Sequence, residues 1–375
     1  MLKIGSRREI IEKSREQDQI VAFGAGKRLK MLSEYFNDTE AWNKINYIID
    51  NDEKKQNSEI IVGGKALKII SLNELRENSF QNFVIIITCA EFRGIIEQLY
   101  ADSALRNVDI YCLYFIMEGD RDESALQKEV PSDIRLSSTP LIPKVIHYCW
   151  FGGNPLPDRY KLWMESWHKF CPDYQIIEWN ENNYDVSKNA YMYQAYQNRK
   201  WGFVPDFARL DIIYNYGGIY LDTDVELVQN LDDLLYQKGF AGFQNAEQVN
   251  FGQGFGAVKG LSIIKEMLDM YRDMQFINED GSLNMTVSPE YQTSVLENYH
   301  LQKNGEYQTV ADLTIYPEKL LCGKSMITKR ILLKPYTRAI HHFDGSWADP
   351  KDRDMNMWIE AMQWGSEPPE RIFVE

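Results

Sequence analysis

The stretch from Phe203 to Glu226, FVPDFARLDIIYNYGGIYLDTDVE, holds the residues whose types and spacing best suit chemistry. Asp206 and Arg209 stand three apart, so on a helix they share a face. Phe207, Leu210 and Tyr214 fall on another face and can pack. Pro205 before this run and Gly217-Gly218 after it frame a helix over Asp206–Asn215. Ile219-Tyr220-Leu221 then reads as a buried strand whose end presents Asp222-Thr223-Asp224. Two carboxylates at i and i+2 on an extended chain point the same way. Burying them together is costly unless a cation lies between them. Carboxylate oxygens suit Mg2+ or Mn2+, which keep positions open for phosphate and water. Without the ion, each like-charge pair with a pyrophosphate at ~4 Å would cost on the order of 4 kcal/mol at an effective dielectric of about 20. With it, the sign reverses and the diphosphate becomes a better leaving group.

An Asp-x-Asp alone is weak, because a chain with 55 acidic residues in 375 has others. Asp50/Asp52, Asp120/Asp122 and Asp352/Asp354 read as solvated turns. What sets Asp222/Asp224 apart is the helix, the glycine pair and the apolar strand before them. A second feature is His341-His342-Phe343-Asp344-Gly345-Ser346-Trp347, which holds two of the five histidines at the end of an apolar strand. Neighbouring strand residues face opposite ways, so only one imidazole can reach an ion held by Asp224. His147, on the first strand of the same half of the chain, faces its interior by parity and reads as structural.

These blocks carry a resemblance. PDFARLDIIYNYGGIYLDTDVE resembles the DxD sugar-binding block of glycosyltransferase family 32, which includes yeast mannosyltransferases and many bacterial capsule enzymes, and which is similar to the glucosylating domain of large clostridial toxins. IPKVIHYCWFGG, SWHKFCPDYQIIEWNENNYD and AIHHFDGSW match further blocks of that family in order, covering about residues 142–347. The resemblance implies a GT-A fold, a nucleotide-sugar donor, a divalent metal and transfer with retention. It implies that Asp222 touches the donor and the metal, that Asp224 ligates the metal directly, and that Asp206 and Arg209 hold the donor's sugar hydroxyls and phosphate. Tyr220 is placed near the nucleotide and Trp150 on the base. The His-x-x-Gly step favours His342 as the histidine ligand. Pro205 stands where the family usually has Ser, which removes that hydroxyl. No spacing identifies a nucleophile on the far face of the sugar, and front-face return of the acceptor is the preferred route. Asn250, Glu290 and Gln292 fall in the acceptor-side region.

The elements that must position these residues follow from pattern and length. At 375 residues, 44% apolar and 26% charged, the chain has globular composition and room for two domains. Ile20–Phe23, Ile45–Ile49, FVIIITC at 83–89 and VDIYCLYF at 108–115 alternate with helix-like runs such as KRLKMLSEYF, the pattern of a parallel sheet with crossovers. The expectation is an α/β protein: a Rossmann-like domain over 1–118, a polar linker over 119–140 and a GT-A domain over 141–375. In the second domain a strand over 142–150, a helix over 159–170 and a strand over 174–179 precede the acidic block. Gly24-Ala25-Gly26 followed by Asp50 mimics a dinucleotide fingerprint, although Leu29 replaces its third glycine. It supports a competing reading as an NAD- or nucleotide-dependent sugar-modifying enzyme. A catalytically dead glycan-binding protein is the other competitor.

The net charge of -14 disfavours nucleic acid and anionic lipid. Five scattered cysteines without a CxxC read as buried thiols in a reducing compartment. The charged start lacks a signal-peptide core, and no apolar run is long enough to span a bilayer. The expectation is a cytoplasmic enzyme that takes a nucleotide-sugar, with a UDP-sugar as the favoured donor, and an oligosaccharide or lipid-linked glycan in surface polysaccharide synthesis, with peripheral attachment at the inner face of the membrane left open.

Overall fold

The computed structural model describes residues 2–77, 82–345, 350–365, 367 and 369–374, with only the backbone of Asp352. The chain forms two compact units. The first comprises 1–124, 327–329 and 356–369, and the second 125–326, 330–355 and 370–375.

The first unit is built on a six-stranded sheet. Its elements are α1 (Arg7–Ser14), β1 (Gln19–Phe23), α2 (Lys27–Phe36), α3 (Glu40–Asn43), β2 (Ile45–Ile49), β3 (Glu59–Val62), β4 (Lys65–Ile70), α4 (Leu72–Glu77), β5 (Phe83–Ile87), α5 (Phe92–Ala101), β6 (Asp109–Cys112) and α6 (Leu113–Leu126). The strand order is β3-β4-β2-β1-β5-β6, parallel throughout except for the β3–β4 hairpin at Gly63-Gly64. All five residues of β1 are buried, as a strand covered on both faces requires. Two expectations are corrected. The strand over 108–115 ends at Cys112, and Leu113, Phe115 and Ile116 are buried on a helix instead. That helix runs on to Leu126, so residues 119–126 of the expected linker are helical. Their polar composition is that of a helix with a solvated side.

The second unit is also mixed α/β. It contains β7 (Val145–Cys149), α7 (Asp158–Phe170), β8 (Gln175–Trp179), α8 (Ala190–Gln197), α9 (Val204–Tyr216), β9 (Gly218–Tyr220), β10 (Val225–Leu227), β11 (Gly239–Asn245), β12 (Gln248–Asn250), β13 (Phe255–Ala257), α10 (Ser262–Met270), α11 (Ser288–Glu297), β14 (Gln308–Val310), β15 (Leu313–Tyr316), α12 (Glu318–Leu321), β16 (Ile331–Leu333) and β17 (Ala339–His341). Helix α13 (Pro350–Trp364) and β18 (Arg371–Phe373) follow. The main sheet has the order β14-β15-β11-β13-β9-β7-β8, with β12 paired to β11. Parallel pairs β8–β7–β9 carry the first strand of this unit beside the strand that leads to Asp222. Two small sheets, β10–β17 and β16–β18, bring distant segments alongside.

Helix α9 begins with Pro205 near its N-terminus and ends at Gly217, whose φ of 71° suits a residue without a Cβ. Gly218 is needed for contact as well as conformation. A Cβ there would lie 2.8 Å from the Val145 carbonyl and 2.9 Å from His147 Nε2. The His147 ring locks this corner: Nε2 lies 3.0 Å from the Gly217 carbonyl, and Nδ1 accepts from the Trp179 indole at 3.1 Å. The two bonds specify the neutral Nε2–H tautomer, and burial lowers the imidazole pKa to about 4.

Candidate active site

The Asp206–Arg209 pair sits on α9, with both residues 4% exposed. Arg209 Nη2 donates to Asp206 Oδ1 at 2.7 Å, and Arg209 Nε donates to the Pro205 carbonyl at 3.1 Å. The same guanidinium reaches the end of β9. Its Nη1 is 3.7 Å from Asp222 Oδ2, and its carbon lies 5.4 Å from the centre of the Tyr220 ring. The Tyr220 hydroxyl donates to Asp222 Oδ1 at 2.9 Å. Asp206, Arg209, Tyr220 and Asp222 are thus one connected group.

The Asp-x-Asp is not extended. The strand stops at Tyr220, and Val225 N–H closes on the Asp222 carbonyl at 3.1 Å, making residues 222–225 a turn. The parity argument for the two acids therefore does not apply. They come together because the turn directs both carboxylates toward β17. Asp222, Asp224 and His341 each offer a ligand atom, and these atoms lie within 4.8 Å of one another.

The expectation favours His342, but the imidazole that the structure brings to the two acids is that of His341. On β17, His341 is opposite Val225. Its Nε2 is 3.3 Å from Asp224 Oδ1. His342 faces the other way: its Nε2 is 3.0 Å from Glu226 Oε2, and its ring stacks on Trp163 with centroids 4.0 Å apart. Glu226 is also held by Arg371 at 2.7 Å. His342 serves Asp224 through the backbone, its N–H donating to the Asp224 carbonyl at 2.9 Å. Of the expected last block, Ser346 and Trp347 lie outside the described residues.

The charges are set apart by their surroundings. Burial pushes the Asp206 carboxyl up to about 6, although Arg209 and the Ser288 hydroxyl pull the other way. Burial also raises Asp222, with Arg209 opposing and Asp224 adding to it. Burial acts upward on Asp224 too, but the His341 imidazole and the Asp344 N–H bring it down to about 2. Burial alone would lower Arg209, yet Asp222 and Asp206 outweigh it and keep the guanidinium charged. The two acids of the motif therefore differ: one holds its negative charge firmly and the other resists it. The two carboxylates suit Mn2+ or Mg2+, and an imidazole beside them favours Mn2+ over the strictly oxygen-seeking Mg2+. His341 Nδ1 is buried without a hydrogen-bond partner, which leaves the ring committed through Nε2 alone.

The other expected residues are placed as follows. Trp150 follows β7, donates its indole N–H to the Asn154 carbonyl at 2.6 Å and meets Tyr160 edge-on at 5.8 Å. Tyr160 donates to Asp344, which Arg159 also holds, and the Asp344 N–H donates to Asp224 Oδ2 at 3.0 Å. Asn250 accepts from Gly252 N–H at 2.7 Å, and Gln292 accepts from Phe251 N–H at 3.3 Å. Glu290 is exposed in the first turn of α11. In the first unit the Asp50 carboxylate is occupied by the Ala25 N–H at 2.8 Å and Lys55 at 3.0 Å.

Sequence reasoning missed Gly252, Asp344, Glu226 and Ser288. Gly252 lets the segment after β12 pass against the site: its carbonyl accepts from Asp222 N–H at 3.0 Å, and a Cβ there would collide with Asp222 Oδ2 and lie 2.7 Å from Arg209 Nη1. The glycine spacing of NFGQGFG was the available signal. A groove of about 680 Å³, lined by Trp163, Phe170, Glu226, Arg371 and Phe373 among others, includes none of Asp222, Asp224 and His341.

Residues 157–241 match the family described as a glycosyltransferase sugar-binding region containing a DXD motif. This places such a region, with Asp222 and Asp224 as its acids, in the second unit. The chain is similar to inositol phosphoceramide mannosyltransferase 2 of Schizosaccharomyces pombe, 31% identical over 128 residues, which are 31% of this chain and 34% of that protein. It is also similar to mannosyl phosphorylinositol ceramide synthase SUR1 of Saccharomyces cerevisiae, 28% identical over 133 residues, 34% of this chain and 35% of that protein. The chain thus spans about a third of the length of these curated relatives. Among solved structures, the PaToxG glycosyltransferase aligns with a TM-score of 0.32 and 19% identity, over 49% of this chain and 76% of that one.

Proposed function

We propose that this chain is a metal-dependent glycosyltransferase that moves a hexose or N-acetylhexosamine from a nucleotide-sugar, with UDP as the nucleotide, to a glycan or lipid-linked acceptor. The observation that carries this reading is the meeting of Asp222, Asp224 and His341 beside the buried Asp206–Arg209 pair. The match of residues 157–241 to a sugar-binding region supports it. The finer fold reading, a Rossmann-like domain followed by a GT-A domain, belongs to the same proposal.

Asp222, Asp224 and His341 would hold Mn2+ or Mg2+, which supplies charge neutralisation at the diphosphate and a better leaving group. The chain's own residues prepare the rest. Tyr220 fixes Asp222 through its hydroxyl, and Asp344 N–H fixes the second oxygen of Asp224. Arg209, kept charged by its two acids, stabilises the negative charge that develops on the departing phosphate oxygen. Asp206, the partner of Arg209, accepts hydrogen bonds from the donor sugar's hydroxyls. As the C1–O bond to the diphosphate breaks, the acceptor oxygen bonds C1 from the same face and its proton passes to the leaving phosphate oxygen, giving retention. Trp150 stacks on the base, a role suited to a half-buried aromatic after a strand.

The two relatives are named for mannosyl transfer to inositol-containing ceramides. A phosphorylinositol-bearing lipid therefore stands beside a surface polysaccharide as acceptor class, and action at the cytoplasmic face of a membrane fits either. The test is a thermal-shift screen of UDP- and GDP-sugars with and without Mn2+, followed by nucleotide release assays on the wild type and Asp224→Asn. Full nucleotide release by the folded Asp224→Asn variant would overturn the proposal.

A further inference from the structure

Behind the Asp206–Arg209 pair lies a set of buried polar groups that the reaction does not use. Tyr191 on α8 and Tyr271, directly after α10, are both 0% exposed, and neither hydroxyl has a hydrogen-bond partner. Their rings meet edge-on at 5.2 Å. For both phenols Asp206 exerts the strongest influence of any neighbouring charge. Helix α11 closes the same space: Ser288, Tyr291 and Gln292 share one of its faces. Ser288 bonds Asp206, Tyr291 acts on both phenols, and the Gln292 Nε2 group is buried without a partner. Two unpaired phenols in contact with one another, both under the influence of one buried carboxylate, are not a stable arrangement unless something joins them.

We propose that Tyr191 and Tyr271 are positioning residues that hold the Asp206 carboxylate through water enclosed between α8, α9, α10 and α11. A carboxylate offers about four acceptor sites, and Arg209 and Ser288 use two of them. The enclosed water accepts from the phenols and donates to Asp206, and a buried water needs two to four such partners. The Tyr271 backbone is pinned for this task, its carbonyl accepting from Asn189 Nδ2 at 2.7 Å. Hydrogen bonds to the ionised form favour that form, so the network works against burial and keeps Asp206 ionised beside Arg209. The groups facing Asp206 are Arg209 on its own helix, Asp222 from the turn after β9, Ser288 from α11, Tyr191 from α8 and Tyr271 from the end of α10. The catalytic consequence rests on the glycosyltransferase reading above, whereas the network itself does not.

The test uses the full chain and the variants Tyr191→Phe, Tyr271→Phe and their combination. A high-resolution crystal structure of the wild type is expected to show water within hydrogen-bonding distance of Asp206 and at least one phenol. A dry pocket, or phenols bonded elsewhere, overturns the proposal. In donor turnover with Mn2+, the acid limb of the pH profile is expected to move upward in the variants, furthest in the double variant. A limb that stays in place overturns the positioning role, since a packing defect alone would not move it selectively. If the double variant does not fold, the single variants read the same shift in smaller steps. If the wild type turns over no donor, the functional reading fails, while the crystal structure still decides the network.

Discussion

Asp224 is held from three directions: by His341 at one carboxylate oxygen, by the Asp344 N–H at the other, and by His342 N–H at its carbonyl. The neighbouring histidines thus do different work. His341→Ala removes one of the three proposed donors and is expected to abolish the thermal stabilisation given by Mn2+. His342→Ala leaves all three donors and the backbone N–H on the Asp224 carbonyl in place and removes only side-chain contacts with Glu226 and Trp163, neither of which is among the three donors, so Mn2+ affinity should stay within about tenfold of the wild type. Calorimetric titration with Mn2+ checks both, and the reverse ranking would count against the assignment of His341. Asp224→Asn keeps the shape of the site and should lose Mn2+-dependent nucleotide release while its unfolding temperature stays near that of the wild type.

Among the elements, the segment after β12 and the corner between α9 and β9 matter most. Gly252→Ala places a methyl group against Asp222 and Arg209, and the alignment of both must give way. Donor turnover is expected to fall on the order of a hundredfold, the scale of losing one aligned group in such a site, with the fold retained by circular dichroism. At the other corner, His147 is neutral when folded, its pKa lowered from 6.5 to about 4 by burial. The unfolded chain takes up the proton first as pH falls. The stability contributed by the neutral ring is therefore fully present above pH 6.5 and is lost down to about pH 4, a change of about 3 kcal/mol at most. Thermal unfolding from pH 7 to pH 4 is expected to show this slope in the wild type and less of it in His147→Gln.

For the whole molecule, the net charge of -14 gives a divalent cation a favourable field and gives nucleic acid an unfavourable one. None of the helices among the described residues is long and apolar enough to cross a membrane. Because an ion bound only by the folded state stabilises it by mass action, Mn2+ at about 100 times its Kd should add about 2.7 kcal/mol and raise the unfolding temperature by roughly 3 to 6 °C. Differential scanning calorimetry with and without a chelator measures this. No shift at millimolar Mn2+ would remove the metal from the account.

The sequence by itself determined the mixed α/β class, the helix framed by Pro205 and Gly217, and the shared face of Asp206 and Arg209, while the resemblance of the block set Tyr220 and Asp222 beside them. These residues lie within one short segment, where spacing and glycine conformation fix geometry locally. Tertiary structure alone decided which histidine lies beside the two acids. That choice depends on the pairing of β17 with β10, more than a hundred residues apart, and on Asp222–Asp224 being a turn, where strand parity no longer holds. It also decided the return of 327–329 and 356–369 to the first unit and the gathering of Tyr191, Tyr271 and Ser288 around Asp206, because contacts between distant segments leave no periodic trace in the residues that make them.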